Sequence, residues 1–165
     1  MCIIQIMIHI NIVCVGRIKE AFFRDAISEY SKRLSRFCSL NIVELQDEKI
    51  PDKSNEKIEL AIKEKEGANI LSHIKKDSYV IALDLKGKEY DSVEFAHEIE
   101  KTSINNSNIT FIIGGSLGLS KDVITACDKL ICFSKMTFPH QLIRIFLLEQ
   151  IYRGFKIANN ETYHK

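Results

Sequence analysis

Residues 109–140 read ITFIIGGSLGLSKDVITACDKLICFSKMTFPH, and the rest of the chain is organised around them. The apolar run Ile109, Phe111, Ile112, Ile113 has the character of a buried strand, and it runs into Gly114-Gly115-Ser116-Leu117-Gly118. A short helical stretch follows, then a second apolar strand, Leu130 to Phe133, which spills into Ser134-Lys135-Met136-Thr137. Pro139 opens a last helix. Two loops that each leave a strand end and enter a helix are where α/β proteins hold ligands.

Upstream, the pattern repeats. Residues 8–15 read as a first, central strand, closed by Gly16. A helix over about 20–37 buries Phe22, Phe23, Ala26, Ile27, Tyr30, Leu34 and Phe37 at three-and-four spacing and leaves its outer side basic. Leu40–Leu45 is a short strand, and a Lys/Glu-rich helix runs from Asn55 to about Lys75. Tyr79–Leu85 is apolar enough to be buried on both faces, with Lys86-Gly87-Lys88 as a turn. Ser92 caps a helix to about Ser103. Strand and helix alternate five times, which predicts one domain with a mainly parallel sheet of five to six strands and helices on both faces.

Length and composition fit that reading. The chain has 165 residues, 45% hydrophobic and 27% charged, which suffices for a substantial core. Residues 1–15 are apolar but lack a basic leader and a cleavage site, and the run is too short to span a bilayer. Residues 1–7 read as a possible N-terminal extension, with Met7 a plausible start. The five cysteines show no C-x-x-C spacing. They are expected to be free thiols in a reducing compartment and not a metal site.

The net charge of +1 hides an asymmetry: residues 1–36 and 129–165 are basic, the middle is acidic, and every arginine (Arg17, Arg24, Arg33, Arg36, Arg144, Arg153) lies in the two end segments. Arginine presents a planar donor fork suited to phosphate. The ends therefore make a basic face if the fold brings them together, or simply solvated helix surfaces if it does not. In the last helix, about 140–158, Ile143, Leu147, Leu148, Ile151, Gly154 and Phe155 share a wide arc with Arg144 inside it. That arc is either core or a subunit interface, and the sequence favours the interface. Arg144, buried there, needs a partner.

The chemistry-bearing residues leave the ligand open. Gly114-Gly115-x-x-Gly118 admits close backbone approach, but it is neither G-x-G-x-x-G nor a Walker loop, so nicotinamide and ATP sites are disfavoured. His140, at a helix start, is either a terminal hydrogen bonder or a catalytic group. Tyr163 and His164 lie at the chain end, a position that physics alone would ignore.

Taken together, Phe133 to Gln141, Ile113-Gly114-Gly115-Ser116-x-Gly118-Leu119, Glu149-Gln150-x-Tyr152-Arg153, Tyr163-His164-Lys165 and Val15-Gly16-Arg17-x-Lys19-Glu20 resemble the RlmH family from about residue 9 to the end. These are SPOUT-class methyltransferases acting on a pseudouridine of large-subunit ribosomal RNA. The resemblance implies a SPOUT α/β domain whose chain after about Gly114 is threaded into a trefoil knot. It implies S-adenosylmethionine as cofactor, held without a metal by Leu83, Gly114, Phe133, Ser134, Lys135, Met136, Thr137 and Phe138. It implies a cytoplasmic homodimer methylating ring nitrogen 3 of a pseudouridine in 23S rRNA of the assembled 70S ribosome, with no membrane partner. His164, Tyr163, Arg144 and His140 are then the candidate catalytic residues, some of them reaching a partner subunit's site. A non-catalytic ribosome- or RNA-binding module on the same fold is the alternative, and cofactor binding separates the two.

Overall fold

The computed structural model describes residues 7–163; His164, Lys165 and all of the candidate 1–7 extension but Met7 lie outside the described residues. The order of elements is β1 (Ile8–Val15), α1 (Ala21–Leu34), β2 (Cys38–Leu45), α2 (Glu56–Ser72), β3 (Tyr79–Glu89), α3 (Ser92–Asn105), β4 (Asn108–Ile113), α4 (Lys121–Ala126), β5 (Lys129–Cys132) and α5 (His140–Ala158). The five strands form one sheet in the order β2-β1-β4-β3-β5. Every pairing is parallel, as strand–helix alternation requires.

The period of two along the strands sorts side chains onto two cores. Ile10, Ile12 and Cys14 of β1 join Ile109, Phe111 and Ile113 of β4 on the face covered by α1, α3 and α5, where Leu34, Phe95, Ile99, Leu147 and Ile151 are buried. Val13 and Val15 join Ile112, Val80 and Ala82 on the other face, beneath Ile70 of α2 and Val123 of α4. Burial on both faces explains why β1 and β4 read as continuous apolar runs.

Three expectations are corrected. First, Lys86-Gly87-Lys88 is no turn: β3 continues to Glu89 and stays paired with β5 through a shift of register between Leu83 and Lys88. The Asp84 carboxylate accepts the Lys86 N–H at 2.8 Å and shapes the irregularity. Gly87 belongs there because a Cβ would stand 2.5 Å from the Ile131 carbonyl carbon. Second, α3 is capped by Asp91 and not Ser92. Asp91 accepts the Val93 and Glu94 N–H groups at 2.9 and 2.8 Å, and Glu94 returns a bond to the Asp91 N–H, a reciprocal capping box. Third, the apolar arc of α5 is core of its own chain. Leu147, Leu148 and Ile151 are fully buried, and Gly154 faces Ala96 of α3, with its absent Cβ 3.5 Å from the Ala96 Cα. The glycine does permit a close backbone approach, but the neighbour is α3 and not a second subunit.

Candidate functional site: a cleft at the strand ends

The parallel sheet aims the carboxyl ends of β3, β4 and β5 at one place, and a cleft of about 500 Å³ opens there. Ligands of open α/β sheets settle at such strand ends. Its floor is apolar: Leu83 ends its ladder opposite Ile113, and Ile131 pairs with Leu83 from the other side. One wall is the turn after β4. Gly118 has a φ of +82°, which favours glycine, and its N–H bonds the Gly115 carbonyl at 3.0 Å. At Gly114 a Cβ would lie 2.8 Å from Leu119 Cδ2, so Leu119 closes against bare backbone. The opposite wall is the loop after β5. Ser134 Oγ accepts the Met136 N–H at 3.0 Å and the Cys132 thiol donates to the Ser134 carbonyl at 3.1 Å, so the loop is shaped by its own short polar side chains. Phe133 and Phe138 anchor it by edge contacts, on Phe95 at 6.1 Å and Phe146 at 5.4 Å.

The structure brings most of the expected cofactor residues together. Leu83, Gly114, Phe133, Ser134, Met136, Thr137 and Phe138 all line the cleft, as does His140, whose Nε2 stands 3.2 Å from Ser116 Oγ. Lys135 is exposed and does not line it. Gly115, Gly118, Leu119, Cys132 and Asp84 line it too and were not singled out as cofactor residues. Behind the glycine turn lies Glu66, only 7% exposed; its Oε1 accepts the Glu48 N–H at 3.0 Å, while Oε2 is buried without a hydrogen bond. A Cβ on Gly115 would sit 2.7 Å from that oxygen. Burial pushes the Glu66 carboxyl above the usual carboxylate range. The residue was missed because it lies in a run of alternating Lys and Glu that reads as solvated surface.

Arg144 lies within the fold, away from solvent. Its side chain is fully buried, pairs with Glu44 of β2 and donates from Nη2 to the Gly16 carbonyl at 3.0 Å. The sequence argument that it needs a partner holds, but the partner is in its own chain. Tyr163 folds back on α5: its hydroxyl bonds both Glu149 oxygens at 3.1 and 3.0 Å, and the Arg153 guanidinium lies over its ring at 4.6 Å. Burial, followed by the Glu149 bond, raises its pKa. Glu149 is nine residues along α5 from His140, about 13 Å at the helical rise. Tyr163 is therefore not in this chain's cleft. Burial holds the Cys14 and Cys38 thiols at about 12, protonated and inert as nucleophiles.

A glycine-walled cleft at parallel strand ends, bordered by a helix-entry loop, is the kind of place where α/β proteins hold a ligand. The particular family follows from comparison: residues 8–164 match the profile described as "Predicted SPOUT methyltransferase", and the chain belongs to the SPOUT methyltransferase family. It is 60% identical over 158 residues to the ribosomal RNA large subunit methyltransferase H 1 of Clostridium perfringens strain SM101, covering 95% of this chain and 99% of the relative. The ribosomal RNA large subunit methyltransferase H proteins of Clostridium beijerinckii and Clostridium tetani are 60% and 57% identical, with the same coverage.

Proposed function

We propose that this chain is a ribosomal RNA methyltransferase that transfers the methyl group of S-adenosylmethionine to nitrogen 3 of a pseudouridine in 23S rRNA, on the assembled 70S ribosome in the cytoplasm. The observation that carries the reading is the cleft itself. Its lining includes the residues that the family resemblance assigns to the cofactor, Lys135 excepted. The donor set fits such a group: an apolar floor of Leu83, Ile113 and Ile131 suits an adenine ring, and the 114–118 turn offers it bare backbone, because Leu119 and Glu66 fill the space that side chains at 114 and 115 would need. The segment from Gly114 to His140 is read as the trefoil knot of the family. No helix among the described residues is long and apolar enough to cross a membrane.

S-adenosylmethionine, when bound, would supply a methyl group on a cationic sulfur, and the acceptor nitrogen must give up a proton as it takes that group. The chain supplies the setting. Leu83, Ile131 and Phe133 would shield the group from water, and the 114–118 turn and the loop after β5 would hold it between them. His140, which lines the cleft with its Nε2 3.2 Å from Ser116 Oγ, is read as assisting the loss of that proton. Tyr163 and His164 act on a partner subunit's cleft, since Tyr163 is held at the far end of α5 in its own chain. A homodimer is supported by apolar side chains left exposed at the cleft: Leu85 and Met136, both of its lining, are 63% and 71% exposed.

Radiolabelled S-adenosylmethionine offered to ribosomes from a strain lacking the modification tests the activity, with the methylated base then mapped. Label on N3 of a pseudouridine is expected. Cofactor binding by calorimetry with no label transferred to any ribosomal RNA would leave the fold assignment intact and defeat the activity.

A further inference from the structure

Most of the arginines at the two ends of the chain are neutralised within the fold. Arg33 pairs with Glu29, Arg36 with Glu161, Arg144 with Glu44 and Arg153 with Glu149. Arg17, Lys19 and Arg24 are different: all three are exposed, and none forms an ion pair among the described residues. They sit on one short stretch, the connection from β1 into the first turn of α1. That connection leaves the sheet beside the cleft, because Val15 Cγ1 would stand 3.2 Å from a Cβ on Gly115.

The stretch is also held rigidly. Gly16, at a φ of +94°, donates its N–H to the Leu45 carbonyl at 2.8 Å and receives Arg144 Nη2 on its own carbonyl at 3.0 Å. The Ile18 N–H reaches Glu44 Oε1 at 3.3 Å, the same oxygen that Arg144 binds. Ile18 is buried, while Arg17 and Lys19 on either side of it face solvent, their Cα atoms at most about 7 Å apart. Arg24 Nη2 donates to the Lys19 carbonyl at 2.8 Å, which sets its guanidinium against the same loop. Glu20, half-buried, and Asp25 share the segment, so the three cations are set apart by their placement and not by bulk charge.

We propose that Arg17, Lys19 and Arg24 grip the sugar–phosphate backbone of the acceptor RNA beside the methyl-transfer cleft. Arg144 and Glu44 are positioning residues that hold this grip in shape. The proposal rests on the reading of the chain as an RNA methyltransferase and names how that site holds its substrate. Unpaired cations on a pinned loop meet a polyanion without first breaking an internal ion pair, and a rigid loop loses little entropy on binding.

The test compares the full-length protein with the triple variant Arg17→Ala/Lys19→Ala/Arg24→Ala and with a control triple at the opposite strand ends, Lys75→Ala/Lys76→Ala/Lys101→Ala. Binding to purified ribosomes is followed across salt concentrations, kcat and KM are measured separately, and S-adenosylmethionine affinity is measured by calorimetry. In the loop triple the log–log salt slope is expected to flatten by about 2, at roughly 0.7 per phosphate contact on a single strand, and the ribosome KM to rise at least about 10-fold. Cofactor affinity and the control triple stay at the wild-type values. An unchanged slope and KM in the loop triple, or an equal loss in the control, overturns the grip. Glu44→Gln keeps shape and folding while weakening the clamp, and it is expected to raise ribosome KM with kcat and cofactor affinity retained. A folded Glu44→Gln protein with wild-type KM overturns the positioning role. If the wild-type protein methylates no ribosome, the enzymatic reading falls, and the salt slopes still decide the grip.

Discussion

The two ends of α5 each carry an arginine, and the fold treats them oppositely. Arg144, near the cleft, has no exposed side-chain surface and is tied to Glu44 of β2 and to the Gly16 carbonyl. Arg153, toward the chain end, is 25% exposed and bonds Glu149 one turn back while covering the Tyr163 ring. The first ties three separated segments together; the second dresses a partly solvated cluster on one helix and the tail. Residue type is the same in both, and the difference is desolvation. A charge removed from water needs its partner, whereas a charge at the surface can exchange its partner for water or phosphate. Arg144 is thus suited to hold its surroundings in shape, and an exposed arginine is suited to meet a phosphate.

The comparison is open to direct attack, beginning with the largest effect. Glu44→Ala leaves the Arg144 guanidinium buried without its carboxylate, and urea unfolding should show a loss of about 3 kcal/mol, the low end for a broken buried pair, because the Glu44 side chain is 35% exposed. A loss under 1 kcal/mol would mean that water reaches Arg144 and the contrast between the two ends is false. Gly114→Ala drives a Cβ to 2.8 Å from Leu119 Cδ2, and thermal unfolding should show a cost of about 2 kcal/mol from overpacking, accompanied by weaker S-adenosylmethionine binding in calorimetry. Wild-type cofactor affinity in a folded Gly114→Ala protein would move the cofactor away from this wall. At the other end of α5, Tyr163→Phe removes the hydroxyl from Glu149 and is expected to cost about 1 kcal/mol. A loss as large as that of Glu44→Ala would show the tail cluster to be as desolvated as the Arg144 pair.

The smallest effect depends on pH. The Glu66 carboxyl, with its pKa raised by burial, binds its proton more tightly folded than unfolded. Its contribution to stability is therefore fully present below the unfolded pKa and lost as pH rises through the folded one. Glu66→Gln keeps an acceptor for the Glu48 N–H and should raise the melting temperature at neutral pH, with the difference vanishing as pH falls toward the ordinary carboxylate range. A pH-independent difference would assign the effect to packing against Gly115.

Much of the architecture was legible because periodicity is a local property. The strand at 8–15, the buried strand at 109–113 and the bounds of the last helix could be read from apolar spacing alone, and glycine after a strand marked where backbone must come close. The errors arose where a decision depended on a neighbour distant in sequence. Gly87 looks like a turn until Ile131 is seen against it. The arc of α5 looks like an interface until α3 and the sheet cover it. Glu66 looks like surface charge until the β4 turn closes over it.

The family, its strand-end cleft and most of the cleft's lining were set by the order of residues, since a parallel α/β sheet directs its loops to one edge. Which charges are free was decided only by tertiary structure. Arg17 and Arg144 are both arginines in basic end segments, and nothing local tells them apart. Folding brings Glu44 to Arg144 from a hundred positions away and leaves Arg17 facing solvent, because burial and pairing are properties of the assembled core and not of the chain.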